Sequence, residues 1–185
     1  EADESFSNIE SGLKVYLSNY DVLFSNDELK QEISRCEMVL KVDPGNRKIS
    51  HRLAKMAMTI QDWEKAISVL QPFAQSTHAP ILRDLGVSLC KKFSAEPEGD
   101  NFAQGQELLR RSSEINPEDP DTWASLAGTW KDREQAAQPG AEKDRYHEKA
   151  RANYQHAFNE DPSDPYALGN YIEYEIVEHG NLEIL

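Results

Sequence analysis

Histidine and cysteine are the residue types in this chain that could support metal binding or nucleophilic catalysis. There are five histidines and two cysteines, namely His51, His78, His147, His156, His179, Cys36 and Cys90. A zinc site uses close ligand pairs such as His-x-x-x-His or Cys-x-x-Cys, and the sequence has neither. A cysteine nucleophile needs a neighbouring base, which no pattern here supplies. We therefore predict a protein that is not an enzyme, with no catalytic residue, no metal and no cofactor.

The elements that would position side chains are short helices. Apolar residues recur at helical spacing in several segments, for example Ile49, Leu53 and Met56. Asn-Pro and Asp-Pro pairs follow three of these segments, and such pairs end one helix and prepare the next. No segment alternates with period two for long enough to indicate a strand. The pattern predicts an all-α array of helical hairpins.

Segment 119–162 carries the clearest motif, in which large and small residues follow a fixed order. The order is Trp123, Leu126, Ala127 and Trp130, then Ala150, Tyr154, Ala157 and Pro162. It resembles the tetratricopeptide repeat (TPR), a helix-turn-helix unit of about 34 residues, although Ala127 stands where the family has Gly. Segment 79–117 fits more loosely and places Gly86 and Gly105 at small-residue positions. The resemblance implies an all-α, right-handed superhelical solenoid of antiparallel helix pairs, with about four units plus a partial fifth.

The same register predicts the domain organisation. We expect one TPR-like domain over residues 1–185 in which 27–46 form the second helix of a first unit. The further units are 47–78, 79–117, 118–162 and the start of a fifth at 163–185. Because the chain begins at Glu1 rather than Met and apolar residues remain near its end, we expect it to be part of a longer protein.

Two hairpins are longer than the family pattern. Ala66 follows Ala57 by nine positions at the usual turn, whereas Gly105 follows Leu89 by sixteen and Ala150 follows Trp130 by twenty. The additional residues lie around 94–100 and 131–145, on the same edge of the predicted stack. Neutral loop drift is one interpretation, and a second contact ridge is the other.

The net charge of the chain limits the classes of partner that it can bind. The net charge is −13 and 29% of residues are charged, which disfavours nucleic acid and anionic membrane as partners of the whole surface. Residues 47–78 are the exception, with five basic and two acidic residues. There is no signal peptide and no apolar run near 18 residues, so we predict a cytoplasmic protein. The basic segment leaves room for a protein or peptide partner of acidic character.

The resemblance also implies where a ligand binds. In TPR proteins the concave groove is lined by positions two, five, six and nine of each first helix. The predicted peptide-binding residues are Lys48, His51, Arg52, Lys55, Arg83 and Asn170. In the fourth unit the equivalent positions hold Asp121, Ala124, Ser125 and Gly128. The alternative interpretation of the basic stripe is the solvated face of a helix.

One TPR subgroup holds the acidic tails of heat-shock chaperones through a clamp of Lys, Asn and Arg residues. The corresponding positions here carry His51, Lys55, Asp84, Asp121 and Ser125. Almost none of the clamp is present, and Asp84 would repel a carboxylate. The resemblance therefore argues against a chaperone tail as ligand.

These observations predict a non-catalytic protein-protein interaction or scaffold module that binds a peptide or protein segment in a concave groove. The alternative is a regulatory or scaffolding arm of a multidomain signalling enzyme whose catalytic domain lies outside this chain. The oligomeric state does not follow from the sequence.

Overall fold

The computed structural model describes residues 26–179, and this part of the chain contains eight α-helices and no strand. They are α1 (Asn26–Val42), α2 (Arg47–Thr59), α3 (Trp63–Leu70), α4 (Ala79–Lys92), α5 (Asp100–Ile115), α6 (Pro120–Ala136), α7 (Ala141–Glu160) and α8 (Pro165–His179). A single 3₁₀ turn, Gln71–Phe73, follows α3. The predicted all-α class is confirmed. The predicted domain also includes residues 1–25 and 180–185, which lie outside the described part.

Short polar side chains and prolines determine where helices begin. The Asn46 side chain accepts a hydrogen bond from the Ile49 N–H at 3.1 Å, which caps α2. The two carboxylate oxygens of Asp164 accept from the N–H groups of Tyr166 and Ala167 at 3.1 and 3.2 Å at the start of α8. Proline occupies the first position of both α6 and α8, where its missing N–H costs nothing.

The chain divides into two compact units, residues 1–62 and 63–185. In the first unit, α1 packs against α2. Buried side chains of this unit include Leu29 and Cys36 on α1 and Leu53 and Ala57 on α2. None of the helices within 26–179, in either unit, is long and apolar enough to span a membrane.

In the compact unit 63–185 the helices pack in successive pairs. Helix α4 pairs with α5, α6 pairs with α7, and α8 packs against α7. The α6–α7–α8 core consists mainly of alanines and tyrosines: Ala124, Ala127, Ala150, Tyr154, Ala157, Ala167, Tyr171 and Tyr174. Trp123 and Trp130 pack against this core and also against the neighbouring cluster around Phe102 and Leu109. The tryptophans of the motif therefore join consecutive helix pairs.

Helices α4 and α5 approach each other closely at two glycines. A Cβ atom on Gly86 would lie 2.7 Å from the Gly105 carbonyl oxygen, and one on Gly105 would lie 2.6 Å from the Cys90 Sγ. Real Cβ atoms do not occupy such positions, so the crossing requires glycine on both helices. These are the small-residue positions that the repeat register predicts.

The two long hairpins differ in construction. Residues 93–99 form an irregular connection between α4 and α5, whereas α6 and α7 run on to Ala136 and back from Ala141. Their four-residue turn includes Gly140 at φ 146°, a backbone conformation that favours glycine. The hairpins touch, because an Arg133 guanidinium N–H donates to Glu98 Oε2 at 2.9 Å. The Tyr146 hydroxyl donates to Glu98 Oε1 at 3.0 Å.

Candidate functional site

The four predicted groove residues of segment 47–78 share one face of α2. Lys48, Arg52 and Lys55 are exposed, and His51 is half-buried. They lie apart from the buried face of the helix, which carries Leu53 and Ala57 among others. Arg52 has a partner within the unit, because its guanidinium lies 2.9 Å from Glu32 Oε1 on α1. Lys48 and Lys55 are the other two exposed positive charges on this face.

Arg83, the predicted groove residue of α4, lies at the centre of an ion cluster. Its guanidinium donates to Asp84 at 3.0 Å, to Asp119 at 3.1 Å and to Asp121 at 3.1 Å. Its side chain is only 17% exposed. Burial lowers the pKa of Arg83, but the three carboxylates outweigh burial and raise that pKa. The cation is thus engaged within the fold, where it ties the start of α6 to α4.

Asn170, the predicted groove residue of α8, also has internal partners. Its amide donates to the Tyr166 carbonyl at 2.9 Å, and its side-chain oxygen accepts from Lys131 Nζ at 3.2 Å. Lys131 also pairs with Glu173 at 2.7 Å. This group links α6 to α8 and leaves Asn170 half-buried.

A groove runs across α4, α6 and α8 in the second unit. Its lining encloses about 210 Å³ and comprises Val87, Cys90, Lys91, Ser125, Gly128, Thr129, Asp132 and Tyr166. The α6 contribution follows helical spacing, since Ser125, Gly128 and Asp132 fall on one face, with Asp121 one turn earlier. We refer to this feature as the α4–α6–α8 groove.

The middle of the groove is lined by small side chains and flanked by an aromatic one. A Cβ atom on Gly128 would lie 3.5 Å from the Tyr166 hydroxyl, which is ordinary van der Waals contact. Tyr166 is 54% exposed, and its hydroxyl lies 3.4 Å from that of Tyr154. An exposed aromatic ring beside a depression is a typical anchor for a bound side chain.

Ion pairs lie along both ends of the groove. The Arg83 cluster joins α4 to α6 at one end. At the other, Lys91 Nζ lies 4.0 Å from Asp132 Oδ2, with both side chains partly exposed. Both sets of ion pairs connect α4 to α6, and contacts that exist before a ligand arrives lower the entropy cost of binding a segment beside them.

The sequence register located part of this groove and missed the rest. Ser125 and Gly128 line it as their repeat positions indicate, whereas Ala124 is buried at 2% exposure and does not. Val87, Lys91 and Tyr166 were not predicted. Val87 and Lys91 lie four and eight residues after Arg83, so extending the helical stripe from Arg83 would have found them.

The described histidines and cysteines have packing partners. His147 Nδ1 lies 2.9 Å from Glu134, which also accepts from the Tyr174 hydroxyl at 2.7 Å. Burial, with Asp132 nearby, raises the pKa of the Cys90 thiol to about 12. Within residues 26–179, no group of three or more His, Cys, Asp or Glu side chains is placed to hold a metal ion.

Comparisons with known proteins agree on the repeat. The family model described as Tetratricopeptide Repeats-Sensor (TPR-S) matches residues 62–175. A crystal structure of the MamA protein aligns with a TM-score of 0.63 at 20% identity, covering 89% of this chain and 81% of that chain. Another MamA crystal structure aligns with a TM-score of 0.53 at 20% identity, with coverage of 84% and 93%. No curated protein gives a significant match. The resemblance to the tetratricopeptide repeat and the predicted solenoid of helix pairs are both confirmed.

Proposed function

Because the chain belongs to the Tetratricopeptide Repeats-Sensor family, we propose that it is a non-catalytic interaction or scaffold module that holds a peptide or protein segment in the α4–α6–α8 groove. One observation carries the proposal. Three helices from successive repeats together form a depression with a small-residue floor at Ser125 and Gly128 and an exposed Tyr166 beside it. A protein segment gains affinity from such preorganised contacts on several helices.

Filling the groove tests this function. Gly128→Phe and Ser125→Trp each place a large side chain in the depression, and Gln104→Phe places one on the exposed surface of α5 as a control. The immobilised wild-type protein and each variant would be used to capture proteins from the source cells. Partners retained by wild type and Gln104→Phe but lost from both groove variants support the proposal. Identical partners for all four proteins contradict it.

We also propose that α2 binds a partner of acidic character. Lys48 and Lys55 are exposed on one face of α2, where they would favour encounter with acidic groups. Reversing both with Lys48→Glu and Lys55→Glu should weaken binding of a captured acidic partner and reduce its salt dependence. Lys41→Glu, an exposed change on α1, is the control. Equal affinity for the double variant and the control contradicts this part of the proposal.

A regulatory or scaffolding arm of a multidomain signalling enzyme is the second candidate function. Membership of a family named for sensors favours this role. In this case groove occupancy would control an activity encoded elsewhere in the full-length protein. Gly128→Phe in that protein should then change the activity, whereas Gln104→Phe should not. Equal activity of both variants contradicts a regulatory role for the groove.

We propose a cytoplasmic location for the module. Cys36 and Cys90 are both buried and both free thiols, which is consistent with a reducing compartment. Fractionation of the source cells, followed by detection of the protein, tests the location.

A further inference from the structure

Carboxylates outnumber cations beside the α4–α6–α8 groove. Asp132 lines the groove, and helical spacing puts Asp121 on the same face of α6, about three turns earlier. Asp119 and Asp84 share Arg83 with Asp121. Lys91 is the cation at the opposite end. One guanidinium shared among three carboxylates leaves excess negative charge at the Asp121 end.

Asp121 is the member of this cluster that a ligand can reach. Its side chain is 70% exposed, whereas Arg83 is 17% exposed and Asp119 is 14% exposed. Partial burial raises the pKa of Asp121, the carboxylates of Asp119, Asp164 and Asp84 raise it further, and Arg83 opposes them. A second cation beside Asp121 would offset that excess of negative charge.

The α4–α6–α8 groove has room for a single side chain. Its volume of about 210 Å³ is below the range of about 300 to 1,000 Å³ that is typical of small-molecule sites. The Val87 side chain and the Tyr166 ring supply apolar surface, and Ser125 and Gly128 leave the space open. An apolar side chain inserted there would bury surface on both walls.

Helix geometry gives the distance from Asp121 to the small residues of the groove, Ser125 and Gly128. Asp121 precedes Ser125 by four residues and Gly128 by seven, which is about 6 to 10 Å along the axis. An extended chain covers that distance in about two or three residues.

We infer that the groove binds an extended protein segment carrying a lysine or arginine beside Asp121, two or three residues from an apolar side chain that enters the pocket between Val87 and Tyr166. This inference rests on the proposed function and specifies its ligand. The first unit and the groove thus have opposite charge preferences, since α2 presents lysines and the groove presents carboxylates.

A random 12-residue peptide library displayed on phage tests the inference. It would be selected on the wild-type protein, and peptides that also bind Gly128→Phe or Ser125→Trp protein would be discarded. The expected groove-dependent peptides contain Lys or Arg two or three residues from an apolar residue.

The best peptide and its Arg→Gln (or Lys→Gln) form would then be measured against wild type and Asp121→Asn by fluorescence anisotropy. Loss of the peptide's cation should weaken binding to wild type by about two- to fivefold, as expected for a partly exposed ion pair, and should have little effect on Asp121→Asn. Asp144→Asn, an exposed carboxylate change on α7, should behave as wild type. Asp121→Ser replaces Asp121→Asn if thermal unfolding shows that the latter is misfolded.

The outcomes separate the two proposals. Groove-dependent peptides that are neutral or acidic would overturn the inference and leave the groove as a binding site. An equal loss of affinity on wild type and Asp121→Asn would also overturn it. If no selected peptide depends on an open groove, the proposed function fails as well.

Discussion

Arg133 on α6 and Glu98 in the α4–α5 connection form a 2.9 Å ion pair that joins the two hairpin insertions of this repeat protein. The Arg133 guanidinium also lies 5.5 to 5.7 Å from the ring centroids of Phe102, Trp130 and Tyr146. Its side chain is 12% exposed. The insertions therefore pack against one another through a largely buried cation, and this contact favours a structural role for their additional length.

Removing this cation should loosen the α4–α5 connection. Arg133→Ala deletes the ion pair and the contacts with three rings, so we expect a loss of about 1 to 3 kcal/mol in the free energy of unfolding. Hydrogen exchange of residues 94–99 should become faster. Glu98→Gln keeps the contacts between Arg133 and the rings, so it should lower the free energy of unfolding by a smaller amount. Unchanged exchange in Arg133→Ala would show that the two insertions are independent.

The close crossing of α4 and α5 predicts opposite effects for two Gly→Ala substitutions. Gly86→Ala should destabilise the protein by about 1 to 3 kcal/mol, because the new methyl group meets the Gly105 carbonyl at 2.7 Å. Gly169→Ala on α8 meets nothing within 4 Å and should stabilise by up to about 1 kcal/mol through helix propensity. Urea unfolding measures both values. A stabilising Gly86→Ala would refute the close crossing.

Arg83 should prove important for folding stability. Arg83→Leu leaves Asp84, Asp119 and Asp121 without their shared cation, and we expect a loss of about 2 to 4 kcal/mol at pH 7. Arg110→Leu is the matched control, since Arg110 pairs with Glu107 and Glu114 on the exposed surface of α5. That change should have a much smaller effect. Similar unfolding curves for the two variants would contradict the structural role of Arg83.

Cys90 should be unreactive in the folded protein. With a pKa near 12, only about one thiol in ten thousand is ionised at pH 8, and Ellman's reagent needs the thiolate. Folding raises the pKa of the Cys90 thiol above about 9, its value in the unfolded chain. The free energy of unfolding should therefore decrease as the pH rises above about 9. Labelling at pH 8 should follow the rate of unfolding. The measurement uses a Cys36→Ser variant, in which Cys90 is the remaining thiol. Rapid labelling of that native protein would show that Cys90 is accessible.

The sequence predicted the features that depend on local spacing. The motif from Trp123 to Trp130 indicated the helix pairs, the small-residue positions identified Gly86 and Gly105, and the register placed Ser125 and Gly128 on the groove face. Each of these follows from helical periodicity within one repeat.

Features that depend on distant partners were not predictable in the same way. Arg83 reaches Asp119 and Asp121, which are 36 and 38 residues further along the chain. Glu98 and Arg133 are 35 residues apart. A register shows which way a side chain faces on its own helix, but these ion pairs form only when neighbouring helix pairs stack. The same limit explains why Tyr166 was missed as part of the groove.

Site-specific photo-crosslinking tests the central claim most directly. A benzophenone amino acid would replace Ser125 in the groove, or Gln104 on α5 as a control, and crosslinked peptides would be identified by mass spectrometry in the source cells. We predict that the Ser125 position crosslinks to a defined segment of a partner protein, and that Gly128→Phe abolishes this product. Crosslinking to the same segment from Gln104, or persistence of the Ser125 product in Gly128→Phe protein, would contradict binding in the α4–α6–α8 groove.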